Sequence, residues 1–546
     1  MCRSGMLIAF VFVIASTGRV LSDASDAPPS NLASTSEHLA TILSSHERAL
    51  GSRTSSLPDT AIEDWTYTDS GISGTEHLER SGENYHSRIT AGQLIEEYGQ
   101  DNGRRWHRDY NGFVSPTTYI DDRTFFAERV KEDAADPKND AQVIGITQGA
   151  DPAYVVQVMV SGERHPEWVY YDARSFLITR VEWFSRDDRG LHRIVTTFSD
   201  FRTTAGLTEP WHVHDAWDPS QFDDDYVRTS LQVGVPVDAS QFTQPPSASR
   251  LPAYQNTGFN IPATIYDDGT IVIRMMVNGR GLDLMLDTAN PENVIDENVA
   301  EELGLPTYGH VTSLPGGYSV SFYTTIPLAT IGTATYRGLV VDAMPFTFQQ
   351  AEYTKVVGVL GYDFLANNVF EIQYDNGGSV KILPSIEFDS DDPVPGGISY
   401  PLDLDAGVPF IAIPIGSGIS NDVALANEFE QTVVWGSYVA AHGSDLTNVE
   451  NGQHYQQSLP FADNGSFGQE VEIWTASISH VSFGSVNFHG SQVIATNYPL
   501  SFSQDRPVDA FLGFDFLRWF DVYLDYPHGR LIVKPNQLFL RVTHHG

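Results

Sequence analysis

Among the side chains of this sequence, Asp287 is the one best placed to do chemistry. It closes an apolar run, Leu284-Met285-Leu286, and is followed by Thr288, Ala289 and Asn290. A carboxylate held in a tight loop at the end of a strand can act as a general base, although a lone aspartate there is also an ordinary turn residue. Other chemistries are poorly supplied. The single cysteine, Cys2, lies ahead of an apolar leader, so no thiolate nucleophile, disulfide or cysteine-ligated metal is expected beyond it. His212 and His214 share a strand face beside Asp215, but no third ligand stands at a diagnostic distance and the HExxH pattern is missing. Strand histidines facing solvent account for them. The acid runs Asp223-Asp224-Asp225 and 389–392 lack the glycine and terminal glutamate of a calcium loop. No metal or other cofactor is expected, and there is no GxSxG elbow, phosphate loop or dinucleotide glycine pattern.

Asp287 rises above the turn reading because its surroundings recur. The apolar strand from Ile271 to Met276 and the hairpin turn Asn278-Gly279 lead to Leu286-Asp287-Thr288-Ala289. Adding 139 to each number gives Phe410 to Ile415, the turn Ser417-Gly418, and Leu425-Ala426-Asn427-Glu428. Both copies continue into two apolar residues, Val294-Ile295 or Val433-Val434, and then into a helix ending at Gly304 or Gly443. Further on the spacing is 152: Gly332 matches Gly484, Gly338 matches Gly490, and Tyr374 matches Tyr526. The run Leu360-Gly361-Tyr362-Asp363-Phe364-Leu365 matches Leu512-Gly513-Phe514-Asp515-Phe516-Leu517. The 13-residue difference, 152 − 139, predicts an insertion between Gly443 and Ile478. An internal repeat of this kind implies two similar lobes.

The string Val277-Asn278-Gly279, Leu284 to Asn290, Val294-Ile295 and Gly358-Val359-Leu360-Gly361 resembles the lobe of retropepsin-like aspartic peptidases. The resemblance covers about residues 260–384, and more weakly 400–535. It implies a strand, an Asp-Thr/Ser-Gly loop, a flap hairpin and an apolar-apolar-Gly turn leading to a helix. Two such lobes bring two carboxylates together, and because both cannot ionise at contact they share one proton. One carboxylate then activates water while the other protonates the scissile carbonyl. On this reading Asp287 is catalytic and Thr288 clamps the opposing loop. Ala289, Gly361 and Tyr318 fall at substrate-binding positions, Tyr318 after the turn Pro315-Gly316-Gly317 where a flap would lie. Asp363 and Asp515 are read as helix N-caps.

The sequence departs from the family pattern at two points. Ala289 puts a methyl where glycine normally lets the loops approach. Ala426 matches Asp287, and shifting the alignment by one gives Leu425 or Asn427, still no acid. Asp422 and Glu428 are the nearest carboxylates, falling before and after the loop apex. The reading is therefore an aspartic-type endopeptidase acting on peptides or proteins, with a binding-only pseudo-peptidase as the alternative.

Upstream, the pattern from Ile62 to about Phe242 is mostly β, with strands expected at Val155 to Val160, Glu167 to Tyr171 and Leu191 to Phe198. A helix is expected over Ser36 to Leu50, with Ser36 as its N-cap. The stretch Tyr98 to Gly112, with Trp168 to Asp172 and Phe198 to Arg202, resembles the outer-membrane lipoprotein-sorting type of domain. That resemblance implies a curved antiparallel sheet whose concave face packs on the lobes or binds a lipid chain. Linkers are expected at 244–252 and 388–397, where prolines gather. The expected organisation is mainly β: a signal peptide at 1–24, a sheet domain at 25–245, and lobes at 253–388 and 397–546.

Composition narrows the partners. With 70 acidic and 32 basic residues the formal charge is −38, which argues against nucleic acid and against a flat contact with anionic lipid. Arg3 and the apolar run Leu7 to Ala15, followed by small residues around Ser22 to Ala27, have the form of a removable signal peptide. That run is too short to span a bilayer. A periplasmic or secreted protein, monomeric because both lobes lie in one chain and without a transmembrane anchor, is expected.

Overall fold

The computed structural model describes residues 27–544, except 52–58, 70, 117–133, 162–164, 188–189, 218–219, 221–222, 248–251, 291, 310–321, 345, 347–352, 354, 376, 406, 450–452, 457–469, 499 and 502–505. The structure is mainly β, as its composition of alternating strands implies. The leader and the flap residue Tyr318 lie outside the described residues.

The first region is one antiparallel sheet of fourteen strands. Two meanders, one beginning at Thr60–Asp69 and one ending at Asp224–Val233, join edge to edge through those two strands. The expected strands appear as Ala153–Met159, Glu167–Asp172 and a longer Gly190–Thr204. The helix begins later than expected, at Leu39, with His38 rather than Ser36 at its N-cap. Its bonding starts there because Thr41 and Ile42 both donate to the His38 carbonyl, while the Thr35 hydroxyl accepts from Glu37 in a separate turn. Its apolar side, with Ile42 fully buried, packs against Val156, Val158, Val213 and other residues on one sheet face. Beside them the same alternation of Thr60–Asp69 that buries Trp65 and Tyr67 also buries Glu63. Arg80 and Arg228 each sit 3.0 Å from Glu63, and Arg228 lies over the Trp65 ring at 4.5 Å. Helix and ion network together occupy this face.

Each lobe has its own curled sheet. In the first, Arg280–Leu286 lies parallel to Val356–Leu360, which in turn pairs with Val294–Asp296. In the second, Gly418–Leu425 lies parallel to Ala510–Leu512, which pairs with Val433–Val434. The extra segment of the second lobe carries Gln453–Gln456, paired with Glu470–Phe483. A six-stranded sheet takes three strands from each lobe and joins them by pairing Val369–Gln373 with Phe520–Asp525. Glu371 faces Tyr523 in that register, and 523 is 371 plus the repeat spacing of 152, so the two-fold relation between the lobes passes through this pair. The stretch after Leu383 is not a loose linker: Phe388 and Val394 are buried against Val369 and Ile532. One apolar core runs through both lobes, and it includes Phe113 from the first region. Among the described residues no helix is long and apolar enough to cross a membrane.

Candidate active site

The two repeat loops meet on the two-fold axis in matched geometry. Asp287 donates its backbone N–H to Leu360 O at 3.1 Å, and Ala426 donates to Leu512 O at 3.2 Å. These are the positions related by 139 and by 152, so Ala426 stands where Asp287 stands in the other lobe. Gly361 and Gly513 make the crossing possible: a Cβ on Gly361 would lie 2.3 Å from Glu292 O, and one on Gly513 2.8 Å from Phe429 O. Gly361 thus faces the backbone behind the loop. It leaves the N-cap of the short helix Tyr362–Leu365 to itself, and Gly513 does the same for Phe514–Leu517. Asp363 and Asp515 are therefore not the caps expected of them; each sits two residues after the cap, within the first turn.

The loops are clasped by a reciprocal set of hydrogen bonds. Thr288 N donates to Asn427 Oδ1 at 2.8 Å, and Asn427 N donates to Thr288 Oγ1 at 3.2 Å. Thr288 Oγ1 donates to Leu425 O at 2.9 Å, and Asn427 Nδ2 donates to Leu286 O at 2.8 Å. Both side chains are buried, at 2% relative exposure each. A threonine and an asparagine fill one symmetric role because each combines a donor with an acceptor on a short side chain.

This clasp carries Glu428 to Asp287. By the 139 spacing Glu428 occupies the position of Ala289, two residues beyond Ala426, yet its carboxyl is in hydrogen-bonding contact with that of Asp287. The glutamate's extra methylene spans what a direct aspartate would have spanned from position 426. The opposite-acid position is empty of a carboxylate, but the site is not. Asp422 stands apart, held 3.0 Å from Arg506. The methyl of Ala289 packs against the apolar cluster that contains Ala426, so the two departures from the family pattern accommodate one another.

The two carboxyls differ in their surroundings. Burial pushes Asp287 up to about 6, while Glu428 and the backbone N–H groups of Ala289 and Asn290 work in the other direction; the Ala289 bond is 2.8 Å. Glu428 is 5% exposed, and burial, then the charge and hydrogen bond of Asp287, drive it well above the carboxylate range. Its Oε2 has no hydrogen-bond partner among the described residues. Two backbone donors favour an ionised Asp287 and only Glu428's own N–H favours an ionised Glu428, which is driven further up, so the shared proton rests on Glu428. Beneath the pair lie Tyr374 and Tyr526, matched by the repeat. Each touches the first residue of the other lobe's short helix: Tyr374 is 5.2 Å from Phe514 and Tyr526 is 5.8 Å from Tyr362.

Sequence reasoning named Asp287 and Thr288, and the structure brings them together at the clasp. It held Glu428, with Asp422, as a nearby carboxylate that could swing into the cleft. The available signal was Asn427: once it is taken as the counterpart of Thr288, Glu428 becomes the first acid after the apex. His212 and His214 both reach Asp225 on the next strand, at 2.6 and 3.4 Å. No group of three or more His, Cys, Asp or Glu converges as metal ligands among the described residues.

Residues 273–364 match the family model described as aspartyl protease. No curated protein matches the chain in sequence. Among solved structures, conglutin gamma, a basic 7S globulin from lupine seeds, is 11% identical, with a TM-score of 0.30, covering 52% of this chain and 96% of its own. The basic 7S globulin from soybean is 10% identical at a TM-score of 0.31, covering 52% and 96%. A putative outer membrane lipoprotein-sorting protein domain from Vibrio parahaemolyticus is 9% identical at a TM-score of 0.27, covering 38% and 94%.

Proposed function

We propose that this chain is an aspartic-type endopeptidase acting on peptides or proteins outside the cytoplasm, with Asp287 and Glu428 as its catalytic pair. The observation that carries this reading is the contact between these two carboxyls across the Thr288 and Asn427 clasp. A water between the pair and a substrate carbonyl would give its proton to the ionised Asp287 and attack the carbonyl carbon. Glu428 would give its proton to the carbonyl oxygen, forming a neutral gem-diol. As the C–N bond breaks, Asp287 would pass its proton to the departing nitrogen while the ionised Glu428 takes a proton back from one gem-diol hydroxyl, leaving a carboxylic acid and restoring both groups. Among the described residues Asp287 keeps part of its surface accessible whereas Glu428 is 5% exposed, so the attacking water would approach from the Asp287 side.

Export is supported by the apolar leader Leu7 to Ala15, and sequencing the N-terminus of the secreted product tests it: retention of Met1 would refute it. The activity is tested by incubating the purified chain with a peptide library and sequencing the products. Cleavage lost separately in Asp287→Asn and Glu428→Gln supports the pair. A wild type that binds library peptides without cutting them would instead favour the pseudo-peptidase reading, for which Ala426 is the supporting feature.

A further inference from the structure

The strongest unused feature lies behind the catalytic loop, where the fourteen-stranded sheet meets both lobes. A cavity of about 240 Å³ is enclosed there by Tyr110–Phe113 of the sheet region, by Glu292, Asp342 and Asp363 of the first lobe, and by Gly407 of the second. The docking that forms it is specific. Asn111 copies a strand partner, accepting from Val340 N and donating to Val340 O, both at 3.0 Å, and its Nδ2 also reaches Asp363 at 2.7 Å.

Four carboxyls line the space: Asp109, Glu292, Asp342 and Asp363. Among the described residues no lysine or arginine lines it, and the one imidazole there, His107, is engaged 2.7 Å from Glu96. Asp363 touches Asp109 across the domain junction, and Asp342 touches Glu292. Aromatic walls complete it, with Tyr110 edge-on to Tyr323 at 4.7 Å and Phe113 against Tyr362 at 5.5 Å. Anionic oxygens beside aromatic faces form the surroundings that recognise an organic cation. A hard metal ion needs several oxygens converging on one point, and no such group exists among the described residues.

A second observation points to a ligand. Asn293 lines the cavity at 1% exposure; its Oδ1 accepts from Gly361 N at 3.0 Å, and its Nδ2 has no hydrogen-bond partner among the described residues. A buried amide donor left unmade is costly, so the occupant should offer it an acceptor. We propose that this cavity binds a small primary ammonium compound with a carbonyl beside the charge, as at the amino end of a peptide or in an amino-acid amide. The ammonium sits among the four carboxyls and the carbonyl oxygen accepts from Asn293 Nδ2. Glu292, exposed at the rim, guards the entrance.

Empty, the two buried carboxyls hold protons: Asp342 and Asp363 are both pushed well up, by burial first and then by the neighbouring acids. Tyr323 and Tyr362 are pushed up as well, so both phenols stay neutral. An entering ammonium displaces those protons, and binding must strengthen as pH rises towards neutrality.

The test is calorimetric titration of the full chain with L-alaninamide, with N-acetyl-L-alaninamide as the uncharged control. Alaninamide should bind one site and release protons, seen as a dependence of the heat on buffer ionisation. Its affinity should rise about tenfold from about pH 5 to about pH 7 and fall at least about tenfold in both Glu292→Gln and Asp342→Asn. The rim variant Glu292→Gln keeps the test valid should Asp342→Asn fail to fold. Equal binding of the acetylated control, binding unchanged in Glu292→Gln, or displacement of alaninamide by calcium would each overturn the proposal, as would no binding.

Discussion

The two lobes solve the same structural problem with the same backbone and deliver their acids by different routes. In the first, Asp287 stands at the loop apex; in the second, an alanine holds the apex and Glu428 reaches back from two residues later. The groups that are duplicated are those that hold the loops: the crossing glycines, the clasp side chains, and the carbonyls of Leu360 and Leu512. A second contrast runs behind the site. Asp515 stays within its lobe, accepting from Thr432 N at 3.0 Å and Thr432 Oγ1 at 2.7 Å. Its counterpart Asp363 meets Asn111 of the sheet region: Asn293, at the position of Thr432, accepts from Gly361 N as Thr432 Oγ1 accepts from Gly513 N, but among the described residues its Nδ2 makes no bond matching the one Thr432 gives Asp515. The geometry of the loops is the invariant, while the carboxylates can be resited wherever reach allows.

The sharpest way to break the comparison is to remove either acid. Asp287→Asn and Glu428→Gln should each lower kcat by about a thousandfold or more with little change in fold, measured against the best library peptide. A Glu428→Gln variant with near wild-type turnover would leave Asp287 working alone and end the equivalence of the two routes. Cutting the clasp comes next. Asn427→Ala removes one accepted and one donated hydrogen bond on the axis and leaves Thr288 N and Leu286 O without those partners, so it should cost about 2–4 kcal/mol in stability by denaturant unfolding. Thr288→Ala should cost a comparable amount if the two residues are true counterparts.

Restoring an apex acid tests the mutual accommodation of the two departures. Ala426→Asp would crowd the Ala289 methyl and add a third carboxylate to one shared proton, so turnover should fall rather than rise. Adding Ala289→Gly and Glu428→Ala to it should recover part of the activity.

The smaller effects concern protons. A pair that works with one proton is depleted below the value of its more acidic member, so turnover should rise as pH passes through about 6 and hold at neutrality. For stability the sign is opposite. Asp363 is raised in the folded chain, so its contribution is complete below its unfolded value of about 3.9 and is lost as pH rises through the folded value. Asp363→Asn should therefore flatten the fall in stability between about pH 4 and about pH 7, read by denaturant unfolding across that range. The matched Asp515→Asn should have a weaker pH signature, because burial takes Asp515 only to about 6.

Much of this arrangement was legible in the residues, for identifiable reasons. Strand alternation and a repeat in glycines mark positions where backbone meets backbone, and those demands do not change between lobes. The clasp was half legible, since Thr288 fits its family's habit while Asn427 performs the same bonding with different atoms. Glu428 was not assignable, because reach depends on where a side chain points rather than on its index in the chain. The role of Asp363 was hidden for another reason: its partner Asn111 is 252 residues away, and no local pattern in either segment announces the other.

The sheet that joins the lobes has a consequence for how the molecule is made. Its central pairing sets Phe370 against Leu524, and its outer strands, Phe259–Ile261 and Ile398–Pro401, are hydrogen-bonded to Ser379–Leu383 and Arg530–Pro535. That pairing must wait until a loop of about 150 residues has closed, so most of its ordering entropy is spent before the contact returns anything. Folding of the two lobes should accordingly be slow and concerted. The first lobe, once synthesised, would expose the edge of Val369–Gln373 until the last strands emerge, and in that interval the edge of a second nascent chain is its nearest competitor.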